Sequence, residues 1–233
     1  MLITSIRRSS IALGLFALVT SGILAATQLG TRELILEAER AAAARALLEI
    51  VPRDRHSNDL MADRVPVAEE FWRQLGLDEG GDIHIARNQG KPVAIIVPAV
   101  APDGYSGDIK MIVGITWDGS VAGVRVLNHQ ETPGLGDRIE LKKSDWILGF
   151  NGKSLTRPTP ELWNVKKDKG EFDQFTGATI TPRAVVRQVY QTLRFFEANK
   201  KTLLSGSEQQ AKPAPAGSQE TYPAKGNEVA EHG

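Results

Sequence analysis

The sequence predicts an α+β protein: a single N-terminal transmembrane helix, then an antiparallel-sheet domain with flanking helices. Three observations carry this expectation. No charged residue occurs from Ser9 to Thr31. Residues 83–128 alternate short β-prone runs with turn dipeptides, the pattern of neighbouring antiparallel strands. Val185, Val189, Leu193 and Phe196 recur at helical spacing near the C-terminal end, which makes one buried stripe.

Taken in order, residues 1–8 contain Arg7 and Arg8 and form a short cytoplasmic N-terminus. Residues 9–30 are the anchor, since about 20 apolar residues cross a hydrocarbon core. Arginines ahead of the span orient it with the following chain outside the cytoplasm. A cleaved signal peptide is the alternative, with Leu24-Ala25-Ala26 as a small-residue cleavage site and Thr27 as the mature N-terminus. Residues 31–80 form a helical stalk and linker. Arg32 to Ile50 is rich in Ala, Leu, Glu and Arg and stops at Pro52, and a short helix is expected over Val67 to Gln74.

Residues 81–204 form the folded domain. Ile83 to Ala86 and Val93 to Val97 are strands joined through Asn88-Gln89-Gly90. Asp108 to Trp117 and Ser120 to Asn128 make a hairpin with Asp118-Gly119 as a two-residue turn. The returning strand delivers His129 and Glu131 into Thr132-Pro133-Gly134-Leu135-Gly136. There Pro133 fixes φ, while Gly134 and Gly136 let backbone N–H groups approach a planar ligand. Asp145-Trp146-Ile147 and Glu161-Leu162-Trp163 supply aromatic packing. The last helix runs from Pro182 to about Asn199. Residues 205–233, rich in Pro, Ala, Gly, Ser and charge, have little to bury and are expected to be a disordered tail.

Composition excludes several classes of function. Acidic and basic residues number 28 each, so no net field attracts nucleic acid. Without cysteine there are no disulfides, thiolate metal sites or iron–sulfur ligands. There is no Ser/His/Asp set, no metal-ligand cluster and no Gly-x-Gly-x-x-Gly, so neither a self-contained catalytic residue nor a metal ligand is expected.

Two segments carry the chemistry. Thr176-Gly177-Ala178-Thr179-Ile180-Thr181 follows Asp173 and runs into Pro182 and the last helix. Gly177 and Ala178 leave the Thr179 hydroxyl unobstructed near a helix start, where N–H groups and the dipole favour a phosphate. A threonine ester of a phosphate-containing group suits that arrangement. A simple helix cap, with Thr181 as N-cap and Pro182 at the first helical position, explains the same residues. Lys166 and Lys167 precede Asp173 and supply positive charge for an ester or a ring, or form a solvated loop. Arg183 opposes the helix dipole, a placement that makes sense beside an anion.

Asp173-Gln174-Phe175-Thr176-Gly177-Ala178-Thr179 resembles the flavinylation sequence of the FMN-binding domain family, Asp-x-x-Ser/Thr-Gly-Ala-Thr/Ser. The segment His129 to Asp137 resembles that family's Glu-Thr-Pro-Gly-Leu-Gly loop. With Ala101 to Gly107, Lys166-Lys167-Asp168 and Phe172 to Val186, the chain to about Leu204 is similar to the G component of Rnf-type electron transport complexes. The C component of the sodium-pumping NADH:quinone reductase shares the device. The resemblance implies FMN esterified through its phosphate to Thr179 by a dedicated FMN transferase acting on FAD. It implies Glu131, Thr132, Gly134, Leu135, Lys166, Asp173, Thr176, Gly177, Ala178 and Thr181 around the flavin. It further implies an inner-membrane protein with its main domain in the periplasm, relaying electrons among other subunits of an ion-translocating complex. In some relatives that complex keeps the redox sensor SoxR reduced. A membrane-tethered assembly subunit with an unloaded motif is the alternative.

Overall fold

The computed structural model describes residues 2–210. Helix α1, Leu2–Ile50, is continuous, because Ala, Leu and Glu follow the apolar run without a breaker before Pro52. Its segment Ile6–Ile35 is the one helix among the described residues long and apolar enough to cross a membrane.

Five strands follow: β1 Arg64–Pro66, β2 Asp82–Asn88, β3 Lys91–Ala101, β4 Ile109–Thr116 and β5 Val121–Asn128. They form one antiparallel sheet in the order β1-β2-β3-β4-β5. Between β1 and β2 lies helix α2, Trp72–Leu75, preceded by a 3₁₀ turn at Glu69–Phe71, where the sequence predicts a short helix. Strand β1 carries no alternation long enough to read from sequence.

Alternation along the central strands divides two cores. Ile95, Val97 and Ala99 of β3, with Met111, Val113 and Ile115 of β4, bury on one face against helix α3, Ile180–Gln210. Ala94, Ile96 and Ile112 bury on the other against Ala46, Leu47 and Ile50 at the end of α1 and Val51 just after it. Covering both faces removes the polar half of the pattern, which is why Val93 to Val97 is wholly apolar.

The α1 contact uses a notch. Gly114 of β4 and Gly123 of β5 lie opposite each other in the ladder, and Ile50 sits over both. A Cβ at Gly114 would lie 2.1 Å from Ile50 Cγ2, and one at Gly123 would lie 3.4 Å from Ile50 Cγ1.

The β4–β5 connection is longer than the expected two-residue turn. Thr116 N–H donates to Ser120 O and Gly119 N–H to Thr116 O, so Trp117, Asp118 and Gly119 form the loop, with Gly119 at φ 92°. The reason is Asp118: its Oδ1 accepts from the Thr116 hydroxyl and from Ser120 N–H and Oγ. Those donors pull its pKa down to about 2.

The α3 stripe is as expected, with Val185, Val189, Leu193 and Phe196 buried, joined by Val186 and Phe195. Its ends differ. The helix begins at Ile180 rather than Pro182, and continues past Asn199 to Gln210. The remainder of the expected tail, residues 211–233, lies outside the described residues.

Two outcomes follow from this packing. Gly114→Ala drives a methyl into the Ile50 side chain and lowers stability by about 1–3 kcal/mol, measurable by urea unfolding of the detergent-solubilised protein. Asp118 stabilises the fold through its ionised form, with an ordinary pKa of about 4 when unfolded and about 2 when folded. Its contribution is complete above about pH 4 and disappears as pH falls through about 2, and exposure limits it to about 1 kcal/mol or less. Asp118→Asn should therefore flatten the unfolding free energy over that acid window; an unchanged slope contradicts the hairpin cap.

Candidate functional site

The loop after β5 is shaped by its own hydrogen bonds. The N–H groups of Leu135 and Gly136 donate to Thr132 O at 3.1 Å each, and Gly134 N–H donates to Asp137 Oδ1 at 2.8 Å. Gly134 takes φ 79°, a conformation that glycine adopts without strain. At the entrance, Glu131 N–H donates to His129 Nδ1 at 3.0 Å, so the ring's Nε2 carries the proton and donates to Glu140 Oε1 at 2.9 Å. His129 thus braces the backbone that turns Glu131 inward.

The second segment is positioned by aromatic side chains. Phe150 stacks on Phe172 with centroids 4.7 Å apart, and Trp146 meets Phe175 edge-on at 5.1 Å. Trp146 Nε1–H donates to Asp173 O at 2.7 Å. From Phe175 the chain makes a turn closed by Ala178 N–H to Phe175 O at 3.0 Å. Gly177 at φ 83° occupies the position of that turn that requires a positive φ.

Thr179 is the cap of α3. Its carbonyl accepts from Arg183 N–H at 3.3 Å, which places the cap two residues ahead of the expected Thr181. Pro182 becomes the third helical residue, where its missing N–H still costs no intrahelical bond. The N–H groups of Ile180 and Thr181 precede the helix's own ladder for the same reason. Thr181 is fully buried and its hydroxyl donates to Glu131 Oε2.

Glu131 joins three segments. Besides Thr181, it accepts from Ser106 N–H at 3.0 Å, tying the β3–β4 loop to the β5 exit and to α3. It is buried, with 4% of its surface exposed, and the approach around it is close. A Cβ at Gly136 would lie 2.7 Å from Glu131 Oε2 and 2.8 Å from Thr181 Oγ1. One at Gly104 would lie 2.8 Å from Glu131 Oε1.

Beside this clamp opens a cavity of about 320 Å³, lined by Tyr105, Glu131, Thr132, Leu135, Gly136 and residues 177–181. Of the sequence-predicted residues, Glu131, Thr132, Leu135, Gly177, Ala178, Thr179 and Thr181 meet there. Gly134, Lys166, Asp173 and Thr176 are not in its wall. Lys166 Nζ pairs with Asp173 Oδ1 at 2.7 Å, so its charge is directed to the segment's own carboxylate rather than to the cavity. Thr176 is an exposed corner of the turn.

Arg183 also has a protein partner. It grips Asp168 through Nε to Oδ2 at 2.7 Å and Nη2 to Oδ1 at 3.0 Å. The guanidinium holds the Asp168 carboxyl below its usual range, and the same bond raises Arg183. The anion that excuses a cation in the first turn of α3 is therefore Asp168. Sequence reasoning gives no site role to Tyr105, Ser106 or Asp137. The signal for the first two is Asp103-Gly104-Tyr105-Ser106-Gly107, a turn-rich stretch between strands.

Two family models match separate parts of the chain. The FMN-binding domain family matches residues 104–194, and the RnfG N-terminal region matches residues 1–50. The G component of the ion-translocating oxidoreductase complex of Pseudomonas aeruginosa is 51% identical over 204 residues, covering 88% of this chain and 94% of the relative. Proteins of that description from Pseudoalteromonas atlantica and Vibrio atlanticus are 48% and 44% identical over 203 and 204 residues. Those matches cover 87% and 88% of this chain, and 93% and 96% of the relatives.

Removing the clamp should be felt across all three segments. Glu131→Ala leaves the Ser106 N–H and the Thr181 hydroxyl without their acceptor and should destabilise by about 2–3 kcal/mol. A cycle with Thr181→Val measures the pair: strict additivity in denaturant unfolding would contradict a direct Glu131–Thr181 bond.

Proposed function

Because the chain belongs to the family of G components of ion-translocating oxidoreductase complexes, we propose that it is the complex's membrane-anchored flavoprotein, relaying electrons through FMN esterified to Thr179. The observation that carries this reading is the convergence of two sequence segments on one cavity, with Thr179 in its wall at the start of α3.

The residues present suit FMN. The cavity falls in the usual range of ligand sites, about 300–1,000 Å³. One side offers the Thr179 hydroxyl and the first N–H groups of α3, which favour a phosphate. Tyr105, Leu135, Ala178 and Ile180 offer apolar surface for a ring system. Bound flavin supplies reversible electron uptake and release.

The protein's residues divide the remaining tasks. Thr179 Oγ1 is the tether: it bonds to the FMN-side phosphorus of FAD as the pyrophosphate bond breaks, AMP leaves, and the hydroxyl gives up its proton. An FMN transferase performs that step. The positive end of α3 offsets the phosphate charge. Glu131 holds Thr181 in an internal bond, which withholds the neighbouring hydroxyl and fixes the helix start. Thr132 and Gly136 complete the wall that Leu135 begins, and Gly177 gives the turn its shape. Gly134, Lys166 and Asp173 act from outside the wall, the first by shaping its loop and the other two by pairing across the segment before Thr179, while Thr176 is the exposed corner of the turn that leads to Thr179.

The location rests on α1. Its apolar segment spans the inner membrane, and Arg7 and Arg8 keep the N-terminus cytoplasmic, with the domain in the periplasm. A covalent tether is of use there, because a freely dissociating flavin would be lost. The other membrane and peripheral subunits of the complex donate to this carrier and accept from it.

Two threonine variants test the reading. With the transferase co-expressed, Thr179→Ala should abolish flavin fluorescence of the denatured protein in gels, and Thr181→Ala should retain it. A fluorescent Thr179→Ala band removes the assignment. An unmodified mass for the unsubstituted protein favours an assembly role without flavin.

A further inference from the structure

Outside α1, six large apolar side chains are exposed among the described residues, and three of them, Tyr105, Leu135 and Ile180, surround the cavity. Tyr105 is the most exposed of the six, at 67%. Exposed apolar surface gathered at one cavity mouth, rather than scattered singly, marks a place that something covers.

The backbone that carries Tyr105 is tied down on both sides. Before it, Asp103 pairs with Arg187 of α3. After it, Ser106 N–H donates to the buried Glu131 carboxylate. Gly104 lies so close to the loop's other limb that a Cβ there would be 2.3 Å from Gly107 O. The side chain is thus presented by a fixed strap, and its exposure does not come from a loose loop.

We propose that Tyr105 is a flavin-binding residue: its exposed ring lines the same cavity as Leu135 and Ile180 and would cover the isoalloxazine. The inference rests on the reading of Thr179 as the FMN tether and extends it to the residue that covers the ring. An aromatic pair of this kind prefers offset stacking or edge contact and excludes water from one face. The strap sets the height of the Tyr105 ring, because the carboxylate that holds Ser106 also holds the first turn of α3, two residues from the tether.

The test uses the full chain, matured with the transferase and kept in detergent. A tyrosine in contact with a flavin quenches its emission, since the phenol lends an electron to the excited ring and receives it back. Tyr105→Ala and Tyr105→Phe should each carry the full added mass of FMN. Their native emission should rise several-fold, toward that of the unfolded protein. The exposed side chain contributes little to the core, so both variants should fold. Full mass with emission equal to the unsubstituted protein in both variants overturns the Tyr105 contact and leaves the tether standing. Absence of added mass from the unsubstituted protein overturns the flavin reading and this inference together.

Discussion

A carboxylate taken out of water must find partners, and Glu131 finds them in two other parts of the chain. Its oxygens accept from Ser106 N–H and from the Thr181 hydroxyl. One side chain therefore fixes the relative position of the β3–β4 loop, the β5 exit and the start of α3. Two of these three pieces are loop at the contact. Without the carboxylate, the Asp103–Arg187 pair would still join the β3–β4 loop to the helix, but nothing at this point would join it to the β5 exit.

The rest of the site depends on how irregular backbone is held still. Between residues 129 and 179 the chain makes short 3₁₀ turns and little else. Phe150, Trp163, Phe172 and Tyr190 knit these turns to α3. Indole N–H groups serve as ties as well as bulk: Trp146 bonds Asp173 O, and Trp163 bonds Ser154 O. Aromatic residues suit this task because they bury large areas and still offer one directed polar group. The sheet then acts as a rigid back, and functional groups lie on the loops that leave it.

Much of this is legible in the sequence, and the departures have physical causes. Strands β2, β4 and β5 and the α3 stripe are readable because burial imposes period 2 or 3.6 on apolar residues, and β3 is readable as a short, wholly apolar run between turn signals. Strand β1 is not, since three residues at a sheet edge impose no period. The β4–β5 turn departs from its dipeptide because Asp118 caps it through its side chain. The same holds for the α3 cap. Thr179 and Thr181 are both acceptable there, and the distant Glu131 decides between them by engaging the Thr181 hydroxyl. Charge alone draws Lys166 and Arg183 toward the site, whereas Asp173 and Asp168, nearby in sequence, take them up. The apolar rim with Tyr105 is illegible because exposure is a property of the fold.

The glycine notch under Ile50 has a consequence for geometry. Because α1 is unbroken from Leu2 to Ile50 and its end is keyed into the sheet, the globular part has no swivel. In a helix each residue adds about 1.5 Å of rise and about 100° of rotation. If the apolar segment spans the membrane as proposed, the number of residues between it and the notch sets both the height of the cavity above the lipid and the compass bearing in which its opening faces. The cavity is mounted on a shaft of set length and angle, and sequence changes in that shaft re-aim it.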